Sequence, residues 1–153
     1  MADQEDTAPV VVTGATGYVG GRLVPELLDA GYRVRCVARR AVALDDRPWR
    51  NDVEVVEADL ALPDQVEAAL KGAQAAYYLV HSMASSEAFE QMEQEMAEVF
   101  VEAAERADLE RVVYLGGLGH DAEKHSAHLA SRHRVGEILA AGRTPVVELR
   151  AAV

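Results

Sequence analysis

Along the chain, short β-branched runs alternate with stretches whose apolar residues recur every three or four positions. The first run, APVVVTG at 8–14, is apolar throughout and ends in glycine, as a strand buried on both faces does. From Tyr18 to Ala30, Val19, Leu23, Leu27 and Leu28 share one side of a predicted helix that Gly31 stops. YRVRCVA (32–38) and VEVVEA (53–58) read as the second and third strands. Pro63 then marks a helix start, and Lys71-Gly72 marks its end. AAYYLV (75–80) is a fourth strand, followed by a long helix over 86–107. On that helix Phe89, Met92, Met96, Val99, Phe100, Ala103 and Ala107 form an apolar stripe predicted to face the sheet. Its acids, Glu87, Glu90, Glu93, Glu95, Glu98, Glu102 and Glu105, are expected on the solvated side. RVVYLGG (111–117), a helix over 126–141 and PVVELRA (145–151) complete the pattern. Strands alternating with helices imply an α/β fold, a doubly wound parallel sheet of about six strands built from right-handed crossovers.

Composition narrows this picture in a few places. The 153 residues amount to one domain, expected over 9–153, behind a disordered acidic tail at 1–8. No apolar run reaches the ~18 residues of a membrane span, and the polar, acidic start lacks the features of a signal peptide. A net charge of −11 argues against nucleic acid as the main partner, although a local basic pocket remains compatible with a small anion. Cys36 is the only cysteine, so no intrachain disulfide forms and a reducing cytoplasm is the expected location.

The sharpest chemical signal is VVVTGATGYVGGRL, where Gly14, Gly17 and Gly20 are spaced G-x-x-G-x-x-G between a strand and a helix. Such glycines permit a tight turn, close approach of backbone to a pyrophosphate, and close helix–strand packing. The helix N-terminus adds unpaired N–H groups and partial positive charge. An NAD-specific fold places an acid roughly 20 residues further on, against the ribose 2′-hydroxyl. Here Arg39 and Arg40 stand at that place, and no acid occurs before Asp45. A guanidinium fork suits a 2′-phosphate, so NADP(H) is preferred over NAD(H) as the expected cofactor; two solvated arginines are the plainer alternative. Asp59, before Leu60, serves either to accept from an adenine amino group or to cap a helix. Leu79, Val80 and His81 end the fourth strand at the crevice where such sheets bind ligands. His81 either contacts a ligand there or bonds to nearby backbone.

With these residues in place the chain resembles the extended or atypical short-chain dehydrogenases/reductases, a branch that includes NmrA-like NAD(P)-binding proteins. Thr13, Gly14, Thr16, Gly17, Tyr18, Val19 and Gly20 match that branch's TGxxGxxG loop, Arg39 its NADP-selecting basic position, and Asp59-Leu60 its adenine contact. The resemblance implies a catalytic serine at the end of the fifth strand and Tyr-x-x-x-Lys on the next helix. This chain has Leu115-Gly116-Gly117 in place of the serine, no tyrosine after Tyr114 and no lysine after Lys124. Within HSAHLASRHR (125–134), His128 and Arg132 are four residues apart and share a helix face. They are the candidate catalytic pair, His128 as general acid and Arg132 as ribose anchor. His120, Asp121, His125 and His128 include metal-ligand types but fit no standard zinc spacing, so no metal site is expected; His133 is expected to face solvent or a neighbouring helix.

The resemblance implies further strands and a substrate-binding portion beyond LRAAV, so the chain is expected to be a fragment holding the cofactor half of a site. It also makes a homodimer one open arrangement, through the helix at 86–107 and the one after the fifth strand. The expected function is NADP(H) binding within an oxidoreductase acting on an unidentified small molecule. A non-catalytic NADP(H)-sensing or partner-binding regulator is the alternative.

Overall fold

The computed structural model describes residues 7–81, 86–118 and 127–152, the side chains of Ala127 and His128 excepted. Six strands form one sheet: β1 (Val10–Thr13), β2 (Val34–Ala38), β3 (Glu54–Glu57), β4 (Ala75–Tyr78), β5 (Arg111–Gly117) and β6 (Val146–Ala151). Every pairing is parallel and the order is β3-β2-β1-β4-β5-β6. The order reverses direction at β1, so the crevice between the ends of β1 and β4 is the switch point where doubly wound sheets bind ligands. Four helices, α1 (Tyr18–Asp29), α2 (Pro63–Leu70), α3 (Glu87–Arg106) and α4 (Ala127–Ala141), cover the two faces.

All four residues of β1 are buried, which is why it reads as an unbroken apolar run. Val11 points into a core with α2, α3 and α4, while Val10 and Val12 point into a second core beneath α1. The expected tail is described only at its end. There the Thr7 carbonyl accepts from the Arg33 guanidinium at 3.0 Å, and the Ala8 carbonyl from the Gln74 amide at 2.5 Å.

Two local features depart from the periodicity. Leu23 and Leu28 are half-buried and Leu27 is buried as the stripe requires, but Val19 is 44% exposed because it sits at the open first turn of α1. On α3 the buried face is Ala97, Phe100, Ala103 and Ala104, whereas Phe89 and Met92 are exposed. The expected stripe therefore applies only to the second half of this helix. Glu93, placed among the solvated acids, is half-buried and accepts from the buried Ser131 hydroxyl of α4 at 2.6 Å.

The segment between β2 and β3 forms two 3-10 turns, Ala41–Leu44 and Arg50–Asp52, rather than a long helix. It nonetheless seals the α1 face, because Leu44 and Trp49 are buried in that core. Trp49 has a second role. Pro25 lies inside α1 and has no N–H for the Gly21 carbonyl one turn earlier. The Trp49 indole N–H donates to that carbonyl at 3.2 Å. A backbone acceptor freed by proline thus finds a side-chain donor from another element.

Candidate cofactor site

The site is built around the end of β1. Thr13 is buried, and its hydroxyl donates to the Tyr77 carbonyl at 3.0 Å while accepting from the Leu79 N–H at 3.2 Å. It ties β1 to β4 at the point where the chain turns away from the sheet, so its part in the loop is to position it. Gly14 has φ +77°, and a Cβ there would stand 2.7 Å from the Leu79 carbonyl oxygen. The Gly17 N–H donates to the Gly14 carbonyl at 3.0 Å and closes the turn. At Gly20 a Cβ would overlap the Gly14 oxygen and lie 2.8 Å from its carbonyl carbon. Two of the three glycines are therefore required by close backbone approach, one across to β4 and one between helix and loop.

Gly17 is the N-cap of α1 and brings no side-chain acceptor to the first turn. No described backbone acceptor takes the N–H groups of Tyr18, Val19 or Gly20, so they remain directed out of the helix end. Thr16, Gly17, Tyr18 and Val19 are exposed around this end, and the Arg22 guanidinium lies 4.0 Å from the Tyr18 ring centroid. Open N–H groups, the helix dipole and a nearby guanidinium make this end receptive to an anion. Glycines that admit backbone contact beside those donors fit a dinucleotide pyrophosphate.

Beyond β2, Arg39 and Arg40 are both exposed, and the Ala41 N–H donates to Glu57 Oε1 at 2.7 Å. Asp59 is half-buried and shapes a turn: Oδ1 accepts from the Ala61 N–H at 2.9 Å, while its own N–H donates to Gln65 Oε1 at 2.8 Å. The N-cap of α2 is Leu62, so Asp59 braces the turn before the helix rather than capping it. Leu60 is buried in the core, which leaves its backbone as the part available to a ligand. A residue that periodicity and motif did not single out, Arg47, donates through Nη2 to the Thr16 carbonyl at 2.7 Å. Nothing in the sequence pattern marks it, because the stretch between β2 and β3 has neither a helical nor a strand period.

At the other end of the crevice, Leu79, Val80 and His81 are half-buried, with Leu79 against the α1-side core and Val80 against the opposite one. The His81 ring centroid is 6.1 Å from that of Tyr114. Tyr114 is fully buried, burial holds its phenol above the usual value, and its hydroxyl donates to the Arg132 carbonyl at 2.8 Å. That bond ties β5 to α4, with Arg132 half-buried. His128 lies one turn earlier on α4, and its side chain is outside the described residues. His120, Asp121 and His125 are outside them too, and among the described residues no metal-ligating cluster occurs. His133 is half-buried.

At the serine's place each glycine faces the end of a flexible side chain. A Cβ at Gly116 would overlap the Glu148 carboxylate, and one at Gly117 would overlap the Leu129 side chain. A serine at either position would require one of those side chains to move.

A family model for NAD(P)H-binding proteins matches residues 14–151. A ceramide reductase of Caulobacter vibrioides is 34% identical over 132 residues, covering 84% of this chain and 40% of that protein. Among solved structures, the Citrobacter triphenylmethane reductase complexed with NADP(H) superposes with a TM-score of 0.78 at 20% identity, over 95% of this chain and 50% of that one. A nucleoside-diphosphate-sugar epimerase of Staphylococcus aureus superposes at 0.80 with 17% identity, over 93% and 50% of the two chains. The chain thus spans about half, or less, of the length of these proteins.

Proposed function

The chain belongs to the NAD(P)H-binding family, and from that premise we propose that it is the cofactor half of an NADP(H)-dependent oxidoreductase of short-chain dehydrogenase/reductase type. The observation that carries this reading is the β1–α1 loop, where Gly14 and Gly20 admit only backbone beside the open end of α1. In this reading the N–H groups of Tyr18, Val19 and Gly20 hold the pyrophosphate, with Thr13 positioning the loop and Thr16 and Gly17 flanking it. Arg39, with Arg40 beside it, takes the 2′-phosphate. Asp59 and the Leu60 backbone border the adenine, and Leu79, Val80 and His81 wall the crevice toward the nicotinamide.

When bound, the nicotinamide supplies the hydride chemistry, so this chain's residues need only bind, orient and move a proton. Arg132 anchors the ribose hydroxyls, and His128, one helical turn away, donates a proton to the reduced substrate. Two similar proteins are described as reductases, which favours reduction as the direction. In protein expressed from the full reading frame, NADPH oxidation with a panel of carbonyl and enone compounds tests the activity. His128→Ala is expected to lower turnover by roughly 10²–10⁴-fold, the usual contribution of a general acid. Undiminished turnover in an otherwise active protein would remove histidine from the mechanism.

The glycines that replace the serine favour a second reading, an NADP(H)-sensing or partner-binding regulator without turnover. Redox-dependent protein binding, with every tested substrate left unreduced, is the outcome it predicts.

A further inference from the structure

Helix α4 is held in two different ways along its length. From Val135 onward it docks as a core helix, with Val135 and Leu139 buried and Ile138 packed against the same core. The stretch before Val135 reads AHLASRHR and brings one large apolar side chain, Leu129, which lies beside Gly117. In this polar stretch two neighbouring residues, Ser131 and Arg132, are held by hydrogen bonds from two other elements. The buried Ser131 hydroxyl donates to Glu93 Oε2 on α3 at 2.6 Å, and the Arg132 carbonyl accepts from the Tyr114 hydroxyl on β5 at 2.8 Å. We propose that Glu93 and Tyr114 are positioning residues that set the Arg132 guanidinium against the nicotinamide-side ribose. The proposal rests on the ribose-anchor reading of Arg132 above and adds to it the two groups that hold the anchor in place.

The first bond has the short length of a hydroxyl donating to a carboxylate, a class roughly twice as strong as neutral pairs. Burial of Ser131 keeps water from competing for it. The second bond depends on close approach of sheet and helix. A Cβ at Gly136, one turn after Arg132, would stand 3.2 Å from Tyr114 Cε1. Tyr114 is fully buried, and a buried hydroxyl holds its partner because water cannot replace it. One bond reaches sideways to a neighbouring helix, and the other runs from the sheet to the helix backbone. Together they resist both rotation and sliding of this turn. Arg132 is half-buried, and a guanidinium on a fixed turn loses less freedom on meeting a ligand than one on a loose turn. Glu93 and Tyr114 thus act on the nicotinamide half of the cofactor through Arg132.

Calorimetric titration of the chain with NADPH and with adenosine 2′,5′-bisphosphate separates the two halves, since only NADPH carries the ribose that Arg132 meets. Tyr114→Phe removes the hydroxyl and keeps the ring, Glu93→Ala removes the acceptor, and Glu93→Gln restores one. Tyr114→Phe and Glu93→Ala are each expected to weaken NADPH by about three- to tenfold and to leave the bisphosphate within about twofold. Glu93→Gln is expected to recover most of the loss. In an Arg132→Ala background, Tyr114→Phe is expected to add no further loss. The same loss with and without the guanidinium, equal losses for both ligands, or no recovery in Glu93→Gln would overturn the proposal. So would NADPH affinity that falls in Arg132→Ala and ignores Tyr114→Phe and Glu93→Ala, a result that leaves the ribose anchor standing. If Arg132→Ala itself leaves NADPH binding unchanged, the anchor falls and the proposal with it, which keeps the two failures distinct.

Discussion

Cys36 sits in β2 between the β1 and β3 backbones, beneath α1, with none of its surface exposed. Burial pushes its thiol up from 9.0 to about 12, with the charge of Arg50 pulling weakly the other way. Below pH ~9 the thiol is protonated in both folded and unfolded chains and contributes nothing to pH dependence. Between 9.0 and about 12 only the unfolded chain ionises, so stability falls as pH rises, by about 1.4 kcal/mol per unit. Urea unfolding of wild type and Cys36→Ala from pH 8 to 11 should show this slope as the difference between them. Parallel curves, or fast native labelling by a thiol reagent at pH 8, would contradict it. At this scale the glycine loop was largely legible, because spacing between a strand and a helix constrains backbone geometry directly. The role of Thr13 was not: a threonine that ties two strands is indistinguishable by sequence from one that touches a ligand. Gly116 and Gly117 likewise mark a missing serine in sequence, and the structure places the flexible ends of Glu148 and Leu129 beside them.

Elements were most legible where burial is symmetric or the amphipathic period is unbroken. β5 spans 111–117 as expected, and α2 begins at Pro63. The face of α3 was misread in its first half, because Phe89 and Met92 are exposed and an acid turns inward to a serine on α4. Periodicity records where apolar residues are, and a charged residue with a buried partner breaks that rule. The β2–β3 connection carried no periodic signal at all, yet it supplies both donors to the loop and first turns of α1: Arg47 to Thr16 and Trp49 to Gly21. Trp49→Phe leaves the Gly21 carbonyl without its donor and should cost about 1–3 kcal/mol. Pro25→Ala restores a backbone N–H for that carbonyl, so the tryptophan matters less in its presence. A double-mutant cycle by urea unfolding should give a coupling of roughly 0.5–1.5 kcal/mol. Additive effects would mean that the indole is held by packing alone.

For the whole molecule, alternating strands and helices foretold the parallel sheet, and the strand order places the glycine loop, Arg39 and His81 along its C-terminal edge. Net charge was less informative, since −11 for the chain coexists with three guanidiniums that lack described carboxylate partners at one end of the sheet. On the α1 face the cover thins across β5 and β6, where Val113 and Leu115 are half-buried and Val147 and Leu149 exposed. No described helix is long and apolar enough to cross a membrane. The proposed NADP(H) role requires this fold to hold a dinucleotide and to select it by its 2′-phosphate. Calorimetric titration of the chain with NADPH and with NADH tests it most directly. NADPH is expected to bind tighter by about tenfold or more, with the gap narrowed by Arg39→Glu. Equal affinity for the two cofactors, or binding of neither, would contradict it.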